Sequence, residues 1–147
     1  MPINVQNHQR RVRFDLAWLR RLATVALAQC FRQQPERGRP VLRELETVEV
    51  PVVSDEAIAA VHEQFMGIPG PTDVITFDHG EIVISAWTAQ RNAARFGKSV
   101  EEELALYTIH GLLHLNGFED NTDPSAARMR AVQRRILKAC LAEISPP

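Results

Sequence analysis

Residues 72–97 read TDVITFDHGEIVISAWTAQRNAARFG. TDVITF is rich in β-branched residues, which suit a pleated, half-buried strand. DHG supplies turn chemistry, and EIVIS reads as a second strand that pairs back on the first. A helix is expected from about Ala86 to Phe96, with Gly97 as a left-handed cap. Strand, turn, strand, helix within one short stretch points to a small sheet covered by helices.

Working toward the C-terminus, Ser99 and Glu102 form the pattern S-x-x-E, a capping box that opens the next helix. That helix should run to about Asn116 and stop at Gly117. A last helix is expected with Asp123 as its cap and Pro124 at its first position. Its buried stripe would be Met129, Val132, Ile136, Cys140 and Ile144.

Upstream, Ser54 reads as an N-cap followed by Asp55 and Glu56, which favour a helix's positive end. The buried face of that helix would be Ile58, Val61 and Phe65, and GIPGP ends it. VLRELETVEVPVV alternates in part, through Leu45, Val48 and Val50, and reads as a strand. QQPERGRP is a loop. Residues 14–33 carry Trp18, Leu22, Val25 and Ala26 at helical spacing, widened by Leu19 and Phe14. INVQN is a short opening strand. The expected fold class is therefore α/β (α+β). It is a single domain over residues 1–147, with a mixed sheet of about four strands covered by about five helices.

Length and composition agree with one core: 147 residues, 45% hydrophobic and 24% charged. The longest apolar run, Leu22–Ala28, is interrupted by Thr24 and is too short to span a bilayer. The opening MPINVQNHQRRVRFD lacks the apolar core of a secretory signal. Cys30 and Cys140 fit neither a CxxC site nor a disulfide framework. A cytoplasmic location is the simplest expectation. The net charge of −1 is unevenly spread, with nine arginines against five acids in residues 1–50. Arg10, Arg11, Arg13, Arg20 and Arg21 form the densest group. Arginine matches phosphate bidentately, so this is either a phosphate-facing patch or a solvated face.

The chemistry concentrates in HGLLHLNGFED, residues 110–120. On a helix, His110 and His114 lie one turn apart on one face and can reach one ion. Gly117 lets the chain leave the helix and turn back, and Asp120 follows three residues later. The pattern H-x-x-x-H-x-x-G-x-x-D has the spacing of the metzincin zinc signature. Gly111 replaces the catalytic glutamate, and Asp120 the third histidine. Three protein ligands with one open position is the usual form of a catalytic zinc site. Glu119 and Asp123 compete with Asp120 as carboxylate ligands. Leu112, Leu113 and Leu115 are read as an apolar wall around the site. The missing glutamate argues against peptide hydrolysis, whereas an ion polarising a phosphoryl oxygen needs no such base.

HGLLHLNGFED resembles the signature of the YbeY endoribonuclease family of metal-dependent rRNA maturation factors. GPTDVITF and GEIVIS are similar to two further segments of that family. The resemblance implies a mixed α/β fold, one Zn2+ ion, and single-strand-directed RNA cleavage in maturation of the 3′ end of small-subunit rRNA and in ribosome biogenesis. By position, His110, His114 and Asp120 are the implied metal ligands and catalytic residues. RNA, as rRNA or ribosomal particles, is the implied partner, with ribosomal proteins or assembly GTPases beside it; no membrane is implied. The family's pattern has an arginine where this chain has Met66, before Gly67. Arg91 and Arg95 are the candidate replacements for substrate binding, alongside arginines of the N-terminal half.

Thr72 and Asp73 could orient a ligand histidine or serve turn chemistry. His79 is read as a turn residue, and His62 and His8 as non-catalytic. Tyr107 is expected in the core and Glu103 in solvent. Two other functions fit the same residues: a metzincin-like zinc metalloprotease, and a non-catalytic, metal-stabilised rRNA- or ribosome-binding module.

Overall fold

The strand read as VEVPVV splits cleanly between two faces. In β2 (Val48–Val53), Val48, Val50 and Val52 are fully buried, while the alternate positions are only partly covered. The period of two sends alternate side chains to opposite faces. β4 (Glu81–Ser85) behaves likewise: Ile82 and Ile84 join the main core, and Val83 packs on the other face. With β1 (Ile3–Asn7) and β3 (Val74–Phe77) they form one four-stranded sheet in the order β1-β2-β4-β3. The pairs β1–β2 and β2–β4 are parallel, and β3–β4 is the antiparallel hairpin, which leaves β3 as an edge strand. The computed structural model describes residues 1–34 and 38–147, so part of the loop expected at QQPERGRP lies outside the described residues.

Among the described residues, five helices cover the sheet: α1 (Leu16–Phe31), α2 (Asp55–Met66), α3 (Ala86–Phe96), α4 (Val100–Leu115) and α5 (Asp123–Glu143). The mixed α+β architecture and the order strand, helix, strand, helix, hairpin, three helices agree with the sequence reading. Helices α1 and α4 share the main core with the sheet, and α5 packs on those two helices. On the opposite face α2 contributes Ile58 to a small cluster with Ile75 and Val83. Asp55, at the start of α2, accepts hydrogen bonds from Ser85 and Thr88 and pairs with Arg91 at 2.9 Å. Burial alone would raise the Asp55 carboxyl, but these bonds and the Arg91 charge hold it below its ordinary value.

Five local expectations are corrected. Leu45 lies outside β2, after a short 3-10 turn at Leu42–Glu44, so VLRELE is not strand. Phe65 is 61% exposed because only one thin cluster lies under α2. Thr122, not Asp123, caps α5; its hydroxyl accepts from Ser125 N–H while Ser125 Oγ accepts from Thr122 N–H. Ser99 does cap α4 by accepting from Glu102 N–H, but the reciprocal side-chain bond of a full box is absent among the described residues. Glu103 is buried, beside Tyr107.

Tyr107 packs in the core as expected, and its hydroxyl accepts from Asn92. Cys30 and Cys140 are both free and buried. Desolvation pushes both thiols upward, Cys140 to about 11, so neither is a ready nucleophile.

Candidate metal centre

Helix α4 ends in a turn that builds the site. Gly117 has φ of 92°, a value that favours glycine. Gly117 N–H then bonds to the His114 carbonyl and Phe118 N–H to the Leu113 carbonyl, the paired closure of a Schellman cap. The turn carries the Phe118 carbonyl back over His114, where it accepts from Nδ1 at 3.0 Å. Buried Asn116 fastens the same turn to α1 by donating to the Cys30 carbonyl at 2.9 Å. Gly38 lies against it as well, its N–H bonded to the Gly117 carbonyl at 2.8 Å. A Cβ at Gly38 would sit 2.5 Å from that oxygen, so only glycine fits there.

The other histidine is held from α5. His110 Nδ1 donates to Oε1 of Gln133, which is buried at the α4–α5 contact. Each Nδ1 faces an oxygen acceptor, so each carries the proton. Both Nε2 atoms therefore carry lone pairs, and the two lie 3.0 Å apart. Asp120 Oδ2 lies 3.5 Å from each. The three donor atoms fall within 4.8 Å of one another. Burial, the largest influence, lowers the His110 pKa; the Gln133 bond and the Asp120 and Asp73 charges oppose it without reversing it. His110 is thus neutral near pH 7, the form that ligates metal. Two lone pairs facing each other beside a carboxylate repel unless a cation sits among them. The donor set of two imidazoles and one carboxylate fits a divalent ion with an open position.

These groups lie in an open cleft of about 550 Å³. Asp73, Asp78 and Glu119 line it, as do Arg39 and Met66. Asp73 is partly committed, its Oδ1 accepting from Val74 N–H at 2.8 Å and from Thr72. Leu112, Leu113 and Leu115 do not wall the cleft; they are fully buried in the core. Gly111 faces the sheet: a Cβ there would lie 2.5 Å from Ile82 Cγ2. Its glycine serves close helix–sheet packing, and no side chain at 111 could reach the cleft.

Neither Arg91 nor Arg95 lines the cleft; Arg91 pairs with Asp55, and the Arg95 guanidinium lies over the Phe96 ring. Arg11 stacks over Trp87 and Arg20 donates to the Val5 carbonyl, so the N-terminal arginines serve partly as structural braces. Asp123 opens α5 and is exposed. His79 stacks on Phe77 in the hairpin turn, His62 meets the Gly70 carbonyl, and His8 meets Gln6, all outside the site. The sequence reading passes over Arg39 and Asp78 of the cleft and, behind His110, Gln133. The signal for Gln133 was a polar side chain four residues after Met129, inside the apolar stripe of α5.

The sequence model of the family described as Endoribonuclease YbeY matches residues 4–141. The chain belongs to this family. Among YbeY relatives, the protein of Bifidobacterium animalis subsp. lactis is 39% identical over 101 residues, which cover 58% of this chain and 56% of the relative. The match thus spans little more than half of that relative's length. The Helicobacter pylori YbeY is 36% identical over 112 residues, covering 71% of this chain and 79% of the relative. The solution structure of TM1509 from Thermotoga maritima superposes with a TM-score of 0.65 at 25% identity, covering 96% of this chain and 90% of that one. No helix among the described residues is long and apolar enough to cross a membrane.

Proposed function

We propose that this chain is a zinc-dependent, single-strand-directed endoribonuclease that acts in the cytoplasm on ribosomal RNA, in maturation of the 3′ end of the small-subunit RNA. RNA within ribosomal particles is its substrate, with ribosomal proteins or assembly GTPases as neighbours there. One observation carries the reading: two imidazoles whose tautomers are set from behind present both Nε2 atoms, with Asp120, to one point in an open cleft. Membership of the YbeY family supports RNA as the substrate.

His110, His114 and Asp120 would hold the ion. Bound there, a divalent cation supplies Lewis acidity toward a phosphoryl oxygen. The chain does the rest. Gln133 and the Phe118 carbonyl keep the imidazoles oriented. Arg39 offers a guanidinium to the phosphate backbone. Asp78 and Glu119, the cleft carboxylates less committed than Asp73, stand ready to take a proton from an attacking water. The openness of the cleft suits a single strand entering sideways.

The test is cleavage of a single-stranded RNA by zinc-loaded protein, with duplex RNA of the same sequence and His114→Ala alongside. Cleavage of the single strand alone, lost in the variant, supports the proposal. Equal cleavage of the duplex, or activity that survives His114→Ala, overturns it. Met66 favours a second reading. It is 52% exposed on the cleft wall and brings no charge there, as suits a metal-stabilised rRNA-binding module. Zinc-loaded protein that binds the RNA and cleaves nothing would select that reading. The protease reading has no support at position 111, which faces Ile82.

A further inference from the structure

A second, smaller cavity of about 180 Å³ opens beside the site, lined by His110, Asp120, Ala126, Met129, Arg130 and Gln133. His110 and Asp120 line the large cleft as well, so the two spaces meet at the proposed ligands. Every remaining residue of the small cavity comes from α5. Ala126, Arg130 and Gln133 recur at intervals of four and three, one face of a helix. That face is fixed toward the site because Gln133 holds His110. Arg130, one turn earlier, is therefore presented beside the same histidine. It is exposed, and its side chain has no hydrogen bond or ion pair among the described residues. Asp120, in the same cavity, has no ion pair with it.

A guanidinium without a protein partner, next to a phosphate-directed metal site, has an evident ligand. We infer that the α5 cavity is a phosphate subsite in which Arg130 holds a backbone phosphate adjoining the scissile one. The inference rests on the reading of this chain as an RNA-cleaving protein. Arg39 lies on the large-cleft side, where its only partner among the described residues is exposed Glu44 at a long 3.7 Å. Such pairs are weak and yield readily to a phosphate. The strand would then run from Arg39 across His110, His114 and Asp120 to Arg130, with a cation on each side of the bond to be cut. Met66 brings no cation to the large cleft, so the guanidinium of α5 takes on the positioning.

The test compares Arg130→Gln and Arg130→Lys with Lys138→Gln, an equal charge change farther along the exposed side of α5. For a single-stranded RNA oligonucleotide, Arg130→Gln is expected to raise KM about tenfold, the scale of one charge-assisted bond. Arg130→Lys should recover part of that loss, and kcat, zinc content and Tm should hold. Fluorescence anisotropy of the same oligonucleotide, with zinc removed, gives an independent readout. Losing one phosphate contact lowers the slope of log Kd against log salt by about 0.7. A KM and slope equal to those of Lys138→Gln overturn the subsite. If the wild type cleaves nothing but Arg130→Gln still lowers the slope, the nuclease reading fails and the subsite stands.

Discussion

The Nε2 atoms of His110 and His114 lie 3.0 Å apart, each ring anchored through its other nitrogen. Neither anchor is in the helix that carries the histidines: one is the Gln133 amide of α5, the other the Phe118 carbonyl of the turn. The pair is thus oriented by the fold before any ion arrives.

Removing the α5 anchor should loosen the site without dismantling it. Gln133→Leu is expected to weaken zinc binding about 10- to 100-fold, the usual effect of losing such an outer hydrogen bond. Competition with a chelator of known affinity measures it. Affinity equal to that of the wild type would show that His110 needs no support from Gln133.

Metal should stabilise the folded chain through Asp120. An ion that binds only the native state at 100 times its Kd adds about 2.7 kcal/mol. For a domain of this size that is a rise in Tm of roughly 5–10 °C. Asp120→Ala should lose most of the rise while its metal-free Tm stays near that of the wild type. A full zinc-induced rise in Asp120→Ala would transfer the ligand role to another carboxylate, with Glu119 first in line.

Gly111→Ala should be destabilising for a reason unrelated to catalysis. Its new methyl would start 2.5 Å from Ile82 Cγ2, and overpacking of this kind costs about 1–3 kcal/mol. Urea unfolding of Gly111→Ala, Ile82→Ala and the double variant reads the coupling: the alanine at 111 should cost less once Ile82 is shortened. Purely additive losses would refute the contact.

Asp55 predicts a pH dependence. Its pKa is held below the ordinary 3.8, so the folded state favours the carboxylate. That stabilisation is complete well above pH 3.8 and is lost as pH falls through the lowered value. Asp55→Asn should lower stability at pH 7 by on the order of 1–3 kcal/mol, the cost of removing a charged partner from Ser85, Thr88 and Arg91. The gap to the wild type should narrow as the pH falls from 5 to 2. A constant gap in urea midpoints across that range would sink the idea.

The hairpin, the helix limits and the convergence of His110, His114 and Asp120 were legible because each is a local matter. Alternation fixes the face of a strand, as in Val48, Val50 and Val52. Gly97 and Gly117 end helices through their own backbone freedom, and i, i+4 spacing puts His110 and His114 on one face. What could not be read was which remote element stands behind each of them. Phe65 continues the apolar stripe of α2, yet it is exposed because the sheet offers that helix only a small cluster. Glu103 carries a polar carboxyl group, yet it is buried where α4 meets its neighbours. Gly111 looked like a lost catalytic base, and only the approach of α4 to β4 shows that no side chain fits there. Gln133 and Arg130 are 23 and 20 residues beyond His110 in the chain, and no local rule links them to it. Sequence alone determined that His110, His114 and Asp120 converge, because backbone geometry over one or two turns sets their spacing. Tertiary structure decided the His110 tautomer, the cleft and its cations, because those depend on the packing of α5, β3 and the segment carrying Arg39 around the end of α4.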